Sequence, residues 1–201
     1  MRISFIVPTI GRPTLRDLIS TLRAEIGPED EVLVVGDGSQ PIARGIMSLP
    51  DWRFHYFEHS GHTVGNAQRD FAIKRATGDF LMFADDDDNY IPGVIRSAVH
   101  PALADGPVRP HMFRCAGGPD GRTLGITFVM GPQFVPPNIP DKLAKWDQPG
   151  EDAHICDYHF IKNTLAFYPE GPVYNDAEIY LVKPWMHGVI ASDVPRPKET
   201  P

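Results

Sequence analysis

Apolar positions along the first hundred residues alternate between two spacings. "ISFIV" (3–7) is a short continuous run that Pro8 is expected to stop, and "PTLRDLISTLRAEI" (13–26) then places its apolar residues three and four apart, as one face of a helix requires. "EVLVV" (31–35) predicts a second strand closed by "GDGS", and "RFHYF" (53–57) alternates as a third. "GNAQRDFAIKRATG" (65–78) returns to helical spacing, with Gly78 as the expected C-cap, and "DFLMFA" (79–84) predicts a fourth strand. Strands alternating with helices of this length imply βαβ units, crossover connections and a mostly parallel, Rossmann-like sheet flanked by helices, which is an α/β fold. In open sheets of that kind, ligands gather at the carboxyl ends of the strands.

The pattern changes after residue 100. Six of the 21 prolines precede that point and fifteen follow it, so the second half is expected to be loop-rich. Short strands are predicted at 123–129 and 178–182, one helix around 151–166, and a frayed tail at 191–201. A chain of 201 residues suffices for one substantial core. The expectation is one domain, 1–201, whose first hundred residues carry one binding surface and whose proline-rich residues 101–190 shape a second.

Composition adds exclusions. The net charge of −7 is evenly spread, with 10 basic against 14 acidic residues in 1–100 and 9 against 12 in 101–201, so no basic stripe advertises nucleic acid. Cys115 and Cys156 form no CxxC pair and read as reduced thiols of a cytoplasmic protein. The opening "MRISFIVPT" is too short for a signal peptide or a membrane span and reads as the first strand.

The chemistry concentrates in "FLMFADDDDNY" (80–90). Asp85, Asp86, Asp87 and Asp88 follow a buried strand directly, beside the expected ends of "FIVPT" and "VVGDGS". A solvated acidic turn is the plain explanation of charge runs in general. Here the buried strand behind the run argues for a cation, because like charges held together are costly unless neutralised. Mg²⁺ and Mn²⁺ prefer carboxylate oxygens and are commonly held by one or two carboxylates plus substrate phosphates. An EF-hand loop starting at Asp85 fails, since Tyr90 and Arg96 stand where glycine and glutamate are needed. "GDGSQP" lacks the third glycine of a dinucleotide fingerprint, and no GxxxxGK phosphate loop exists. A phosphatase-type Asp-x-Asp nucleophile usually lies on the first strand, whereas this run lies on the fourth. His55, His59 and His62 cluster across a strand end and a glycine loop, a weak zinc pattern.

The ordered motifs resemble those of the GT-A-fold glycosyltransferases, specifically the large family-2-like group of nucleotide-sugar-using, inverting enzymes. "IVPTIGRP" (6–13) is similar to that group's opening strand and turn. "EVLVVGDGS" (31–39) resembles its second strand ending in Asp-Asp-Gly-Ser, with Gly36 in place of the first aspartate. "RDFAIKRATGDFLMFADDDDNYIP" (69–92) follows its long signature through Asp-x-Asp, and "PGEDAHI" (149–155) is similar to its Glu-Asp element. The resemblance covers 3–95 well, 100–145 poorly, and recovers at 149–155.

The resemblance implies a GT-A-type domain, with 1–100 as the nucleotide-sugar-binding half and 101–190 as the acceptor side. It implies donor contacts from Thr9, Asp37, Arg69, Asp85 and Asp86, metal ligation by Asp87 with His187 as a late additional ligand, and Asp152 as general base. Asp88 and Asp86 are the alternatives if the aspartate register slips. The cofactor implied is Mn²⁺ or Mg²⁺, the donor a nucleoside-diphosphate sugar, with uridine first and guanosine second, and the acceptor an unidentified hydroxyl. The activity implied is inverting sugar transfer. A retaining GT-A transferase, a nucleotidyltransferase and a non-catalytic nucleotide-sugar binder are the rivals. Each residue also has a plainer role: Asp37 as a turn residue, Arg69 as a helix surface charge, Asp152 as a helix-dipole partner, His187 as a loop or core histidine. Trp146 and Trp185 suit either a sugar face or buried packing.

Overall fold

The computed structural model describes residues 1–61, 63, 65–116, 130–146 and 155–182. Its centre is β1 (Ile3–Thr9), buried at every position. It pairs in parallel with β2 (Glu31–Gly36) on one side and β4 (Phe80–Phe83) on the other, and β2 carries β3 (Phe54–Glu58) at the edge. The strand order is therefore β3-β2-β1-β4. Successive crossovers run outward from β1 and then return to its far side, so the topological switch point lies between β1 and β4.

β1 runs through the proline expected to end it and one residue beyond, to Thr9. Even-numbered residues of β1 direct their backbone groups at β4, as Ala84 N–H donating to Ile6 O shows, and β4 has ended by the level of Pro8. The missing proline N–H therefore removes no ladder bond.

Helices α1 (Leu15–Glu25), α2 (Pro41–Met47) and α3 (Asn66–Ile73) connect these strands. α1 lays Leu15, Leu18, Ile19 and Leu22 onto the sheet, the three-and-four spacing visible in its sequence. α3 ends at Ile73, short of Gly78, and Gly78 is no C-cap. A Cβ at 78 would stand 2.6 Å from Ser4 N and 2.7 Å from Ser4 Oγ, so glycine there lets the chain enter β4 against β1.

After β4 come β5 (Asn89–Tyr90), a π-helical turn (Ile95–Val99), α4 (His100–Asp105), β6 (His111–Ala116), β7 (Phe134–Val135), α5 (Cys156–Leu165) and β8 (Val173–Leu181). β5, β8, β6 and β7 make a second sheet in that order, in which β8 pairs antiparallel with β5 and parallel with β6. The strand expected at 178–182 is thus the latter part of a longer one. The strand expected at 123–129, residues 151–154 of the expected α5 region and the tail at 191–201 lie outside the described residues.

Two apolar clusters sandwich the first sheet. Phe5, Val7, Val32, Val34 and Met82 face α1, and Ile6, Leu33, Val35, Leu81 and Phe83 face Trp146 and Phe160 of α5. The opposite faces of each strand feed opposite clusters, as the period of two dictates. Both cysteines are buried free thiols, and burial first of all pushes Cys115 to about 12 and Cys156 to about 11.

Candidate active site

The carboxyl ends of β1, β2 and β4 bring the predicted polar residues together at the switch point. Asp37 N–H donates to Thr9 O across the β1–β2 edge (2.9 Å), and Asp37 Oδ1 accepts from Gly61 N–H at 3.0 Å. Thr9 Oγ1 in turn donates to Asp86 Oδ2 at 2.6 Å, across the β1–β4 edge. Asp37, Thr9 and Asp86 form one connected line over three strand ends.

The four aspartates do not share one environment. Side-chain exposure is 35% at Asp85 and 14% at Asp87, but 3% at Asp86, and Asp88 is buried too. Asp86 is turned inward and consumed by the loop after β1: besides Thr9, it accepts from Ile10 N–H at 3.1 Å and from Arg12 Nη1 at 2.5 Å, while its carbonyl accepts from Thr14 Oγ1. Asp85 and Asp87 are the outward-facing pair. The turn itself is held from behind, because Asp85 N–H donates to the Tyr180 hydroxyl at 2.9 Å, and Tyr90 O–H donates to Phe83 O at 2.7 Å. Tyr90 and Tyr180 are cross-strand partners packed edge to face, so the second sheet fixes the end of β4.

Two arginines balance the acidic run. Arg12 reaches Asp86 and lies 3.7 Å from an oxygen of Asp87. Burial works against its charge, but the hydrogen bond and field of Asp86 outweigh it and raise its pKa. Arg69 is no surface charge. It is 5% exposed, ion-paired with Asp85, and its guanidinium carbon sits 4.6 Å from the ring centre of Trp146. Trp146 is fully buried, stacked on Phe160 at 4.3 Å, and so belongs to the packing.

Sequence reasoning gave no role to Arg12, Asp157 or Tyr180. Arg12 adjoins the end of β1 in the quoted "IGRP", and that adjacency was its one available signal. Asp157 carries no local signal. It sits in the first turn of α5, where Oδ2 accepts from Gly131 N–H at 2.8 Å and the Cys156 thiol lies 3.6 Å from Oδ1. Burial above all raises its carboxyl pKa, against the pull of Arg69 and with the charge of Asp85 adding. Asp152, Glu151, His187, Trp185 and His62 lie outside the described residues. His59 stacks on Phe71 at 4.6 Å and His55 faces Phe57 at 6.4 Å.

Among the described residues, no three His, Cys, Asp or Glu side chains are grouped to hold a metal ion by themselves, and no helix is long and apolar enough to cross a membrane. Asp85 and Asp87 fit the sparser kind of site, in which one or two carboxylates share a hard cation with phosphate oxygens. An acidic pair at a switch point, flanked by two arginines, is suited to a ligand carrying phosphates.

The chain is similar to several known proteins. It is 31% identical over 99 residues to the uncharacterized glycosyltransferase YwdF of Bacillus subtilis, covering 47% of this chain and 36% of that protein. It is 26% identical over 106 residues to the GalNAc(5)-diNAcBac-PP-undecaprenol beta-1,3-glucosyltransferase of Campylobacter jejuni, covering 50% and 34%. These alignments span about a third of the length of either relative. Among solved structures, Staphylococcus aureus TarS 1–349 in complex with UDP superposes with a TM-score of 0.66 at 20% identity, covering 90% of this chain and 60% of that one. The mannosyltransferase PcManGT of Pyrobaculum calidifontis, in complex with GDP-Man and Mn²⁺, gives 0.69 at 17% identity, covering 90% and 56%. These neighbours share the GT-A fold. The model of the family described as Glycosyl transferase family 2 matches residues 4–166, and the chain belongs to that family.

Proposed function

We propose that this chain transfers a sugar from a nucleoside-diphosphate sugar, a UDP-sugar first, to an acceptor hydroxyl, with inversion and with the help of a divalent cation. The observation that carries the reading is the outward-facing pair Asp85 and Asp87 at the switch point, with Arg12 and Arg69 beside it. In this reading Thr9 and Asp37 would lie against the nucleoside, and Asp86 would serve the donor side by fixing Thr9 and the loop that carries Arg12. Asp85 and Asp87 would hold the cation, with His187 as a further ligand. Bound there, such an ion supplies charge neutralisation for the departing diphosphate. The two guanidiniums add positive charge on the same side, where negative charge grows as the nucleoside diphosphate leaves. Asp152 would remove the proton of the acceptor hydroxyl on the face opposite the leaving group, and a carboxylate is already ionised at neutral pH.

In this reading residues 1–100 form the nucleotide-sugar half of a single domain, and the later residues form the acceptor side. The UDP of the TarS complex and the GDP-Man and Mn²⁺ of the PcManGT complex make uridine and guanosine donors the first to try. The test is to incubate the protein with UDP-glucose, UDP-GlcNAc and GDP-mannose in Mn²⁺ and follow release of nucleoside diphosphate, with water or added glycans as acceptors. Release from one donor, lost in Asp87→Asn, supports the reading. No release across the panel, together with no nucleotide binding, counts against it.

A further inference from the structure

Gln40 closes the turn after β2, at the N-cap of α2, and its side chain makes no capping bond there. Glutamine is not among the residues favoured at that position, so capping does not account for it. The side chain turns instead to the strand ends. Nε2 donates to Asp37 O at 2.7 Å, and Oε1 lies 2.6 Å from where a Cβ on Gly11 would stand. Gly11, at φ 82°, belongs to the loop after β1, and its N–H donates to the Thr9 hydroxyl at 2.9 Å. The carboxamide therefore bridges the β1 and β2 loops beside Thr9 and Asp37, in a place that a side chain at 11 would close.

The rest of Gln40 is fixed from the other side. Its N–H donates to the Tyr56 hydroxyl at 3.2 Å, and a Cβ on Gly36 would come 3.0 Å from its Cγ. The amide can then sit in one orientation only. A carbonyl accepts and cannot donate, so the group facing Asp37 O is the NH₂, and Oε1 is left as an acceptor. Turning the amide over would set Oε1 against Asp37 O. Gln40 is half-buried, and no donor among the described residues meets Oε1. This edge of the site thus offers a ligand one acceptor of fixed direction.

Nucleobases differ in what they present to such a group. Uracil and guanine carry a ring N–H at the centre of their hydrogen-bonding edge. Cytosine and adenine hold a lone pair at the same position, and facing Oε1 they would set acceptor against acceptor. We propose that Gln40 is a specificity-determining residue of the donor site: its fixed Oε1 accepts the ring N–H of uracil or guanine, and so selects their nucleotides over those of cytosine and adenine. This rests on the proposed function for the presence of a nucleoside diphosphate at this edge. The selection itself comes from the locked amide, since a polar group held in one orientation binds its complement and penalises the reverse.

The experiment is titration calorimetry of UDP, CDP, GDP and ADP in Mn²⁺ on the wild-type chain, on Gln40→Met and on Gln40→Ala, with inorganic pyrophosphate as the control that lacks a base. Methionine keeps the length of the side chain and removes the amide, and alanine removes the amide without any risk of overpacking. Comparing UDP with CDP, and GDP with ADP, keeps the ring size constant. In whichever ring size binds, the wild-type protein is expected to favour the nucleotide with the ring N–H by about tenfold or more. Both variants should bring that ratio within about threefold by weakening the favoured nucleotide, and should bind pyrophosphate as the wild type does. A Gln40 that only ties the two loops together would instead weaken all the nucleotides alike and leave the ratio standing.

A wild-type ratio near one or reversed, or a ratio that survives in both variants, would overturn the assignment of Gln40, while the nucleotide binding itself would uphold the proposed function. If the wild-type protein binds none of the four nucleotides, the proposed function fails and the role of Gln40 fails with it.

Discussion

Arg12 and Asp86 form a 2.5 Å ion pair across the β1–β4 edge, and the same Asp86 carboxylate takes the Thr9 hydroxyl and the Ile10 N–H. One inward-facing aspartate thus holds three residues of the loop that closes the strand ends. Asp86→Asn replaces one acceptor oxygen by a donor facing other donors. It is expected to cost about 1–3 kcal/mol of stability, read as a lower urea midpoint, because buried partners are left unsatisfied. Asp87→Asn, on the more exposed side chain, should leave that midpoint nearly unchanged or raise it by relieving repulsion. The reverse ranking would show the wrong aspartate assigned to the loop.

Gly36 stands where the family's second strand carries an aspartate, and the space is closed. A Cβ there would meet the Tyr56 hydroxyl at 2.8 Å, Gly38 O at 2.9 Å and Gln40 Cγ at 3.0 Å. Gly36→Ala should therefore destabilise the fold by about 1–3 kcal/mol, as overpacking does. In a Tyr56→Phe background the same substitution should cost less, though not nothing, since Gly38 O remains. Equal costs in both backgrounds would show that the tyrosine hydroxyl is not what fills the position.

These two cases mark what the sequence made legible. The succession of β1 to β4 along the chain and their parallel sense could be read from the apolar spacing, although Pro8 does not end β1 and Gly78 does not cap α3. The aspartates follow, since strand ends in a parallel sheet share one edge, whereas Thr9, Asp37 and Arg69 were named through the resemblance to the GT-A glycosyltransferases. The alternation of Asp85 and Asp87 outward against Asp86 and Asp88 inward depends on partners far along the chain: Thr9, Arg12 and Tyr180. No local pattern announces those partners. The same holds for Asp157, and for Tyr56 and Gln40 filling the place of a missing side chain. The second sheet was mostly missed because β5 and β7 are two residues long, and β8 pairs with two distant segments of different pattern.

At the opposite end of the sheet, Asp30 and Glu31 are buried carboxylates with pKa values held below the ordinary range. For Asp30, burial alone would raise the value, but His100 and the N–H groups of Ile3 and Gly27 outweigh it. For Glu31, burial is outweighed by the Ser4 hydroxyl, the N–H and hydroxyl of Thr77, and Arg2. A carboxyl whose pKa is lower folded than unfolded stabilises the fold above its unfolded value, and that contribution is lost as pH falls through the folded value. The melting temperature should therefore fall as the pH drops below about 4, the unfolded carboxylate range. Glu31→Gln should lower the melting temperature at pH 7 and flatten that acid limb. An acid limb as steep as wild type would contradict the assignment.

Asp152→Asn should reduce turnover by about a hundredfold or more, in line with the roughly 10²–10⁴-fold typical of general-base catalysis, while donor affinity stays nearly unchanged. If Asp152 only complements a helix dipole, the variant loses about 0.3–1 kcal/mol of stability and keeps its turnover. Turnover and melting temperature on one preparation separate the two.

The central claim is that the Asp85–Asp87 edge binds a nucleoside diphosphate through a shared cation. Thermal unfolding of the wild-type protein with UDP, in Mn²⁺ and again in excess chelator, tests it most directly, because a ligand that binds the native state raises its apparent stability. The account predicts a rise in melting temperature with UDP that needs Mn²⁺ and disappears in Asp87→Asn. An equal rise in chelator, or an undiminished rise in Asp87→Asn, would contradict it.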